Sequence, residues 1–418
     1  MGSKFIKSIL VVLVALCMLS THAFGGEVEV LHWWTSGGEA KSVAVLKELL
    51  EKQGHTWKDF AVAGGGGDAA MTVLKSRAVA GNPPTAAQVK GPQIQLWGDE
   101  GVLANLDDVA QAEKWDELLP EVVADIMKYD DSYVAVPVNV HRINWMWANP
   151  EVFRKAGADL PTTWEQFEVA AKKIKQAGFI PVAWGGQPWQ EATVFEIIVA
   201  AVGGSDFYRK ALVEADVAAL KSPTMVKALE MMKNIKPYTD KGAPGRDWNL
   251  ATAMVIKGEA AMQFMGDWAK GEFTAAGKKP GKDYIAMPAP GTSAQFLFNV
   301  DSFIMFKQKD PEAQKAQKAM AGIILQPEFQ TVFNVNKGSI PVRLGMSRAP
   351  FDDPALRAMN AFSASAASGD LVPSMAHEMA VFPAVRGAIM DVVTNFYNSD
   401  ISAKAAADKL AGEVEAAK

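Results

Sequence analysis

The stretch Val28-Glu29-Val30-Leu31-His32-Trp33-Trp34 reads as a strand, and it opens a regular alternation that decides the fold. Glu39 to Gln53 follows with helical spacing, with Val43, Leu46, Leu49 and Leu50 on one face and Gly54 at its end as a C-cap. Phe60 to Ala63 reads as a second strand. A helix from Asp68 or Ala69 to Ala80 is stopped by Gly81-Asn82-Pro83-Pro84. Ala86 to Val89 is a short third strand, and Pro92 to Glu100 starts another helix. Strands alternating with helices predict parallel β-α units in an α/β lobe.

Upstream of this stretch, Met1 to Ser8 carries Lys4 and Lys7 and no acid, and Ile9 to Leu19 is an apolar run of 11 residues. Thr21-His22-Ala23 and Ala23-Phe24-Gly25 offer small residues around a cut. A basic start, a short apolar core and a small-residue exit predict a secretory signal peptide over residues 1–23, cleaved near Ala23. The run is too short to span a bilayer, which takes about 20 apolar residues. The expected location is the periplasm. The single cysteine, Cys17, leaves with the signal, so the mature chain has no disulfide, thiol nucleophile or thiolate metal site. A lipoprotein anchor on Cys17 is disfavoured by Leu16, where a small residue is expected. Removing Lys4 and Lys7 takes the formal charge from -5 to -7, which gives no electrostatic case for nucleic acid.

A chain of 418 residues is long enough for two domains. Tyr133 to Val138 reads as a buried strand with Pro137 near its end. Thr162 or Thr163 caps a helix with Gln166 completing a capping box, and Phe167, Ala170, Ala171 and Ile174 form its stripe as far as Gly178. Long helices are expected over Met225 to Ile235 and Asn249 to Gly258. Tyr284 to Pro288 and Ser302 to Phe306 read as strands returning to the first lobe, and the last 90 or so residues as mostly helical.

Two blocks carry a resemblance. Val136-Pro137, then Trp145-Met146-Trp147-Ala148-Asn149-Pro150-Glu151-Val152-Phe153-Arg154-Lys155-Ala156-Gly157 and Leu160-Pro161-Thr162-Thr163-Trp164-Glu165-Gln166-Phe167, resemble the signature of sugar-type extracellular solute-binding proteins. Gly258-Glu259-Ala260-Ala261-Met262 with Gly266-Asp267-Trp268 resembles a second block of that family, with Ala148 a departure where tyrosine is common. Within it the chain is most similar to periplasmic glucose-binding proteins, through Leu31 to Glu39, Lys90-Gly91, Asn299-Val300-Asp301, Lys337-Gly338 and Met375-Ala376-His377. The resemblance implies a periplasmic-binding-protein-like α/β fold, two α/β lobes joined by hinge crossings with a ligand cleft between. The lobes are expected over 24–139 with 288–328, and over 140–287 with 329–418, crossing near Val138 to His141 and Ala286 to Pro288. It implies a monomeric, non-enzymatic carrier without a cofactor or metal, which captures a monosaccharide, D-glucose above all, and delivers it to the permease subunits of an ATP-binding-cassette importer in the inner membrane.

The residues themselves suit that chemistry. The C–H faces of a sugar stack on aromatic rings, while its hydroxyls need charged or amide partners at fixed angles. Trp33 and Trp34 end the first strand, where adjacent residues face opposite sides. Glu39 opens the next helix, where a carboxylate is favoured by the dipole. Lys90 stands at the turn before Gly91-Pro92, and Asn299 and Asp301, two apart, share one strand face. The resemblance adds Lys337, His377 and, as a second stacking wall, Trp268 to this ligand set. Gly64 to Gly67 lacks the GK[ST] ending of a phosphate loop and reads as a strand-to-helix turn. Trp145, Trp147, Trp184 and Trp189 are candidates for the second lobe's side of the cleft, and Arg142 and Gln187 for its rim. The histidines show no metal-ligand spacing. A secreted glycoside hydrolase, with Glu39 and Asp301 as its two carboxylates, is the competing class; another carbohydrate or a polyol is the competing cargo.

Overall fold

The computed structural model describes residues 25–418; the expected signal peptide, its cleavage site and Cys17 lie outside the described residues. The opening alternation folds as parallel β-α units. β1 (Glu27–His32) leads through α1 (Gly37–Lys52) to β2 (Thr56–Ala61), then through α2 (Asp68–Val79) to β3 (Ala86–Val89) and α3 (Gln93–Asp99). β1 lies between β2 and β3 and is parallel to both. β2 starts four residues before Phe60, because it is an edge strand burying only Trp57 among its polar residues and so gives a weak apolar signal. The Gly64 to Gly67 turn joins β2 to α2, with Gly66 and Gly67 at φ +83° and +91°, a region that suits glycine.

The chain then makes β4 (Ala135–Arg142), crosses, and builds a second sheet. Its elements are β5 (Trp145–Ala148), α4 (Trp164–Gln176), β6 (Ile180–Val182), α5 (Pro188–Tyr208), α6 (Pro223–Ile235), α7 (Trp248–Lys257), β7 (Ala260–Phe264), α8 (Ala269–Ala275) and β8 (Ile285–Pro288). It returns as β9 (Phe296–Met305), α9 (Pro311–Ile324), α10 (Pro327–Lys337), β10 (Ile340–Pro341), α11 (Asp353–Ser368) and β11 (Leu371–Pro373), and ends in α12 (Pro383–Asn398) and α13 (Ala403–Ala417). The large sheet runs β10-β4-β9-β3-β1-β2, with β11 paired to β9; the small one runs β8-β5-β7-β6. Two sheets, each flanked by helices, make the periplasmic-binding-protein architecture of two α/β lobes.

Several expectations need correction. Tyr284 to Pro288 does not return to the first lobe: β8 is an edge of the small sheet, antiparallel to β5, and the crossing comes after it. β4 starts at Ala135 and stays paired in the large sheet through Arg142, so the first crossing is Ile143-Asn144, beyond the expected Val138 to His141. α10, placed with the second lobe on sequence, packs against α1 and β4 of the first. A third crossing runs from β11, on the large sheet, to α12, which packs on α5. The long helix α5 was missed on sequence because Trp189 to Ala200 are all buried, polar Gln190, Glu191, Thr193 and Glu196 included; a helix buried on every side has no apolar stripe set against a polar one.

Arg142, a rim candidate, instead ties two crossings together. It is buried, lies over the rings of Trp145 and Phe296 at 4.9 and 5.3 Å, and donates to Asn144 Oδ1 and the Gln295 carbonyl. Asn144 in turn donates to Gln295 O at 2.9 Å and Thr292 Oγ1 at 3.1 Å.

Candidate functional site

The site is built where strands of the large sheet end against the second lobe. β1 and β3 point their carboxyl ends the same way, which is where open α/β sheets offer a crevice. Trp33 and Trp34 follow β1, Lys90 follows β3, and Glu39 lies in the first turn of α1. Asn299 and Asp301 on β9 share a face, with Asn299 Nδ2 3.4 Å from Asp301 Oδ1. Lys337 is the last residue of α10. Trp268, after β7, and His377, after β11, approach from the other side, their rings 4.9 Å apart. All nine residues expected on sequence line one cavity, together with Gly65, Gly66, His141, Trp189 and Trp248. The space between these walls is about 30 Å³, room for about two water molecules.

Charges in this cavity are paired. Lys337 Nζ donates to Glu39 Oε1 at 2.8 Å, and the other Glu39 oxygen accepts from the Ser36 backbone N–H at 3.3 Å, half of a capping box. Lys90 Nζ lies 3.5 Å from Glu378 Oε2 and 5.0 Å from the centre of the Trp33 ring. His141 sits between two carboxylates: Nε2 is 2.9 Å from Asp301 Oδ2, and Nδ1 bonds Asp267 Oδ1. Burial alone would lower the His141 pKa, but Asp267 and Asp301 outweigh it and raise it. Burial alone would raise Asp301; His141, with Lys337 and Lys90, holds it well below the usual carboxylate range. His377 is held neutral, far below its ordinary value, by burial and by Lys90, Arg386 and His141.

The aromatic residues divide between wall and core. Trp34 meets the cavity at one edge but is 2% exposed and packs edge-on to Phe303 at 5.6 Å and against Phe333 at 5.2 Å. Trp268 stands 5.1 Å edge-on from His141 and 6.3 Å from Trp189. Trp189 faces the glycine turn: a Cβ on Gly65 would lie 2.8 Å from its ring, and one on Gly66 2.9 Å. Gln187, a rim candidate, orients it by accepting its indole N–H at 2.9 Å. Of the other tryptophan candidates, Trp145 and Trp147 are core of the small sheet, with Trp147 Nε1 donating to Met265 O at 2.8 Å. Trp184 stacks on Tyr397 at 4.6 Å, in a separate hollow.

Sequence reasoning missed His141 and Trp248. The signal for His141 was legible: Asn139 and His141 alternate with Val136, Val138 and Val140, so one face of a wholly buried strand is polar. Nothing local marks Trp248, whose place depends on the packing of α7.

A model of the family described as bacterial extracellular solute-binding protein matches residues 34–321. The chain belongs to that family. This solute-binding protein is 47% identical over 405 residues to a probable sugar-binding periplasmic protein of Rhizobium meliloti (strain 1021), covering 97% of each chain. It is 24% identical over 250 residues to a glucose-binding protein of Saccharolobus solfataricus, covering 56% of this chain and 45% of that one. Among solved structures it is similar to a chitin oligosaccharide binding protein, with a TM-score of 0.79 at 20% identity over 94% of this chain and 98% of that one.

Proposed function

We propose that this solute-binding protein captures a neutral monosaccharide, D-glucose, by closure of the lobes and delivers it from the periplasm to the permease subunits of an ATP-binding-cassette importer. The observation that carries this reading is the pairing of unspent polar capacity with aromatic walls. Asn299 lines the cavity and is 2% exposed, and its Oδ1 has no partner. A buried acceptor without a partner costs about 1–3 kcal/mol until something donates to it. Beside it stand carboxylates that accept, lysines that donate, and the rings of Trp33, Trp189 and Trp268. Because cations and anions already pair off, a neutral polyhydroxyl ligand fits better than an anion or a polyamine.

A single ring suits the enclosure, since Gly65 and Gly66 lie flush against Trp189 across the cleft. The walls come from both lobes, so a ligand held between them favours the closed arrangement of the lobes. The names of the Rhizobium and Saccharolobus relatives support sugar and glucose respectively. Magnitudes permit it: a micromolar Kd is about −8 kcal/mol, or about −0.7 per non-hydrogen atom of a hexose, inside the ceiling of about −1.5. Epimers are separated by a misplaced hydroxyl that leaves a charged group unpaired. A glycosidase would need one carboxyl raised in pKa to act as acid, whereas Asp301 is lowered and Glu39 is bound to Lys337.

Titration calorimetry of the mature protein tests the reading with D-glucose, D-galactose, maltose, a polyol and a polyamine. Saturable heat with glucose supports it. Binding of maltose or a polyamine with none for glucose removes the cargo assignment.

A further inference from the structure

One buried carboxylate lies outside the cavity yet holds the turn that enters it. Glu196 on α5 is fully buried. Its Oε2 accepts the Tyr208 hydroxyl at 2.8 Å and the backbone N–H groups of Met375 and Ala376 at 2.8 and 3.1 Å. Its Oε1 accepts the Ser374 hydroxyl at 2.6 Å. Ser374 Oγ accepts the His377 N–H at 3.1 Å, so one side chain organises the whole turn from Ser374 to His377. This turn is the start of the third crossing, anchored to the second lobe by Glu196 and to the first by Ser374 N, which donates to Phe298 O at 2.9 Å. Glu378, next along, has φ +65°, a conformation that side chains other than glycine seldom adopt and that surroundings must hold.

The ring of His377 is held separately. Its Nε2 lies 3.0 Å from Thr193 Oγ1, and the Thr193 hydroxyl donates to the Trp189 carbonyl at 2.8 Å, one helical turn back. A hydroxyl has one proton. With that proton on Trp189 O, Thr193 can only accept from His377. Nε2 therefore carries the imidazole proton and Nδ1 the lone pair. The charged groups around the ring, Lys90, Arg386, His141 and Asp301, disfavour on balance a second proton.

We propose that Glu196 and Thr193 are positioning residues that present His377 to the ligand as a hydrogen-bond acceptor through Nδ1. The identity of that ligand as a sugar rests on the reading above. A hydroxyl donates to His377, while Lys90 and Lys337 donate to other oxygens. Opposed donors and acceptors in one cavity fix which way each hydroxyl must point, and that is how such a site discriminates stereochemistry.

The test combines spectroscopy with a mutant cycle on the mature chain. Nitrogen-15 spectra of labelled histidine, taken without ligand at pH 7, are expected to show His377 neutral, protonated at Nε2 and bare at Nδ1. Thr193→Val should shift the ring toward the other tautomer and weaken glucose affinity about tenfold, and Glu196→Gln should weaken it about fivefold, each through a lost or misaligned hydrogen bond. In a His377→Ala background both effects on affinity should vanish, because positioning residues act only through the group they position. An Nδ1–H or doubly protonated His377 in the free protein overturns the proposal, as does a loss from Thr193→Val that persists in the His377→Ala background. The tautomer is read without ligand, so its failure is distinct from a failure of glucose to bind, which would sink the sugar reading instead.

Discussion

His141 Nε2 lies 2.9 Å from Asp301 Oδ2, joining strands β4 and β9 through a buried side-chain contact in the cavity. The other face of the imidazole is engaged by Asp267 at the start of the Trp268 segment. One histidine thus connects the sheet of the first lobe to the aromatic wall of the second. The sign of its pH dependence follows. His141 is raised above its ordinary 6.5, so the stability it contributes is full below 6.5 and is lost as pH rises through its raised value. Asp301 is lowered below 3.8, so its contribution is full above 3.8 and is lost as pH falls through its lowered value. Both are complete together between pH 3.8 and 6.5. Asp301→Ala should weaken glucose binding by about 2–4 kcal/mol, through a lost charged acceptor and a His141 Nε2 left without its carboxylate partner. Calorimetry showing an unchanged Kd would take Asp301 out of the site.

Glu196 gives a second pH signature, of the same sign as His141 and opposite to Asp301. Burial, outweighing the pull of Ser374, Ala376, Tyr208 and Met375, pushes its carboxyl up from 4.5 to about 7. The raised value means that its stabilisation is full below 4.5 and declines as pH rises through about 7. The decline is on the order of 3 kcal/mol. Glu196→Gln has no such titration, so the melting temperature of the variant minus that of the wild type should rise between pH 5 and pH 8. A flat difference would mean that the carboxyl ionises normally.

Gly65 tests the closed contact. A Cβ there would sit 2.8 Å from the Trp189 ring, which Gln187 holds in place. Gly65→Ala should weaken glucose about tenfold, equal to about 1.4 kcal/mol. It should leave the melting temperature without ligand unchanged or slightly raised, since alanine lowers unfolded-state entropy. A ligand-free protein destabilised as much as the complex would show that the contact does not belong to closure.

Trp268 and Trp184 make a matched pair. Trp268 lies between His141, His377 and Trp189 on the cavity wall, while Trp184 stacks on Tyr397 elsewhere. Trp268→Ala should cost glucose binding at least about 1 kcal/mol and remove most of the ligand-induced change in tryptophan fluorescence. Trp184→Ala should lower stability with little effect on either. Equal losses of affinity would reject the wall assignment.

The proposed closure can be tested in solution. Arg386 on α12 pairs with Asp68 at the start of α2 at 2.8 Å, so the lobes touch beyond the cavity as well as in it. Saturating glucose should reduce the radius of gyration from small-angle scattering, because a ligand touching both lobes favours the closed population by its differential affinity. An unchanged radius with tight binding would point to a pocket preformed within a rigid molecule.

The sequence by itself determined the local grammar of this protein. Short-range patterning marked β1, α1, α2 and β3 to within two residues at each end, because an apolar pattern and a glycine or proline stop are properties of neighbouring residues. The same reach placed Asn299 and Asp301 on one face of β9 and Glu39 at a helix start. The family blocks then named Lys337, His377 and Trp268, which lie far apart in the chain and share one cavity. Tertiary structure decided what no local pattern encodes. It assigned α10 to the first lobe, turned β8 into an edge of the small sheet, and made Ser374 to Phe382 a third crossing. It sorted tryptophans that look alike on paper, sending Trp189 and Trp248 to the cavity and Trp145, Trp147 and Trp184 to packing. It also brought each ring nitrogen to its partner, with His141 between Asp267 and Asp301 and His377 against Thr193. Burial and Coulomb interaction act through space over a few ångströms, and the chain brings those partners from more than a hundred residues away.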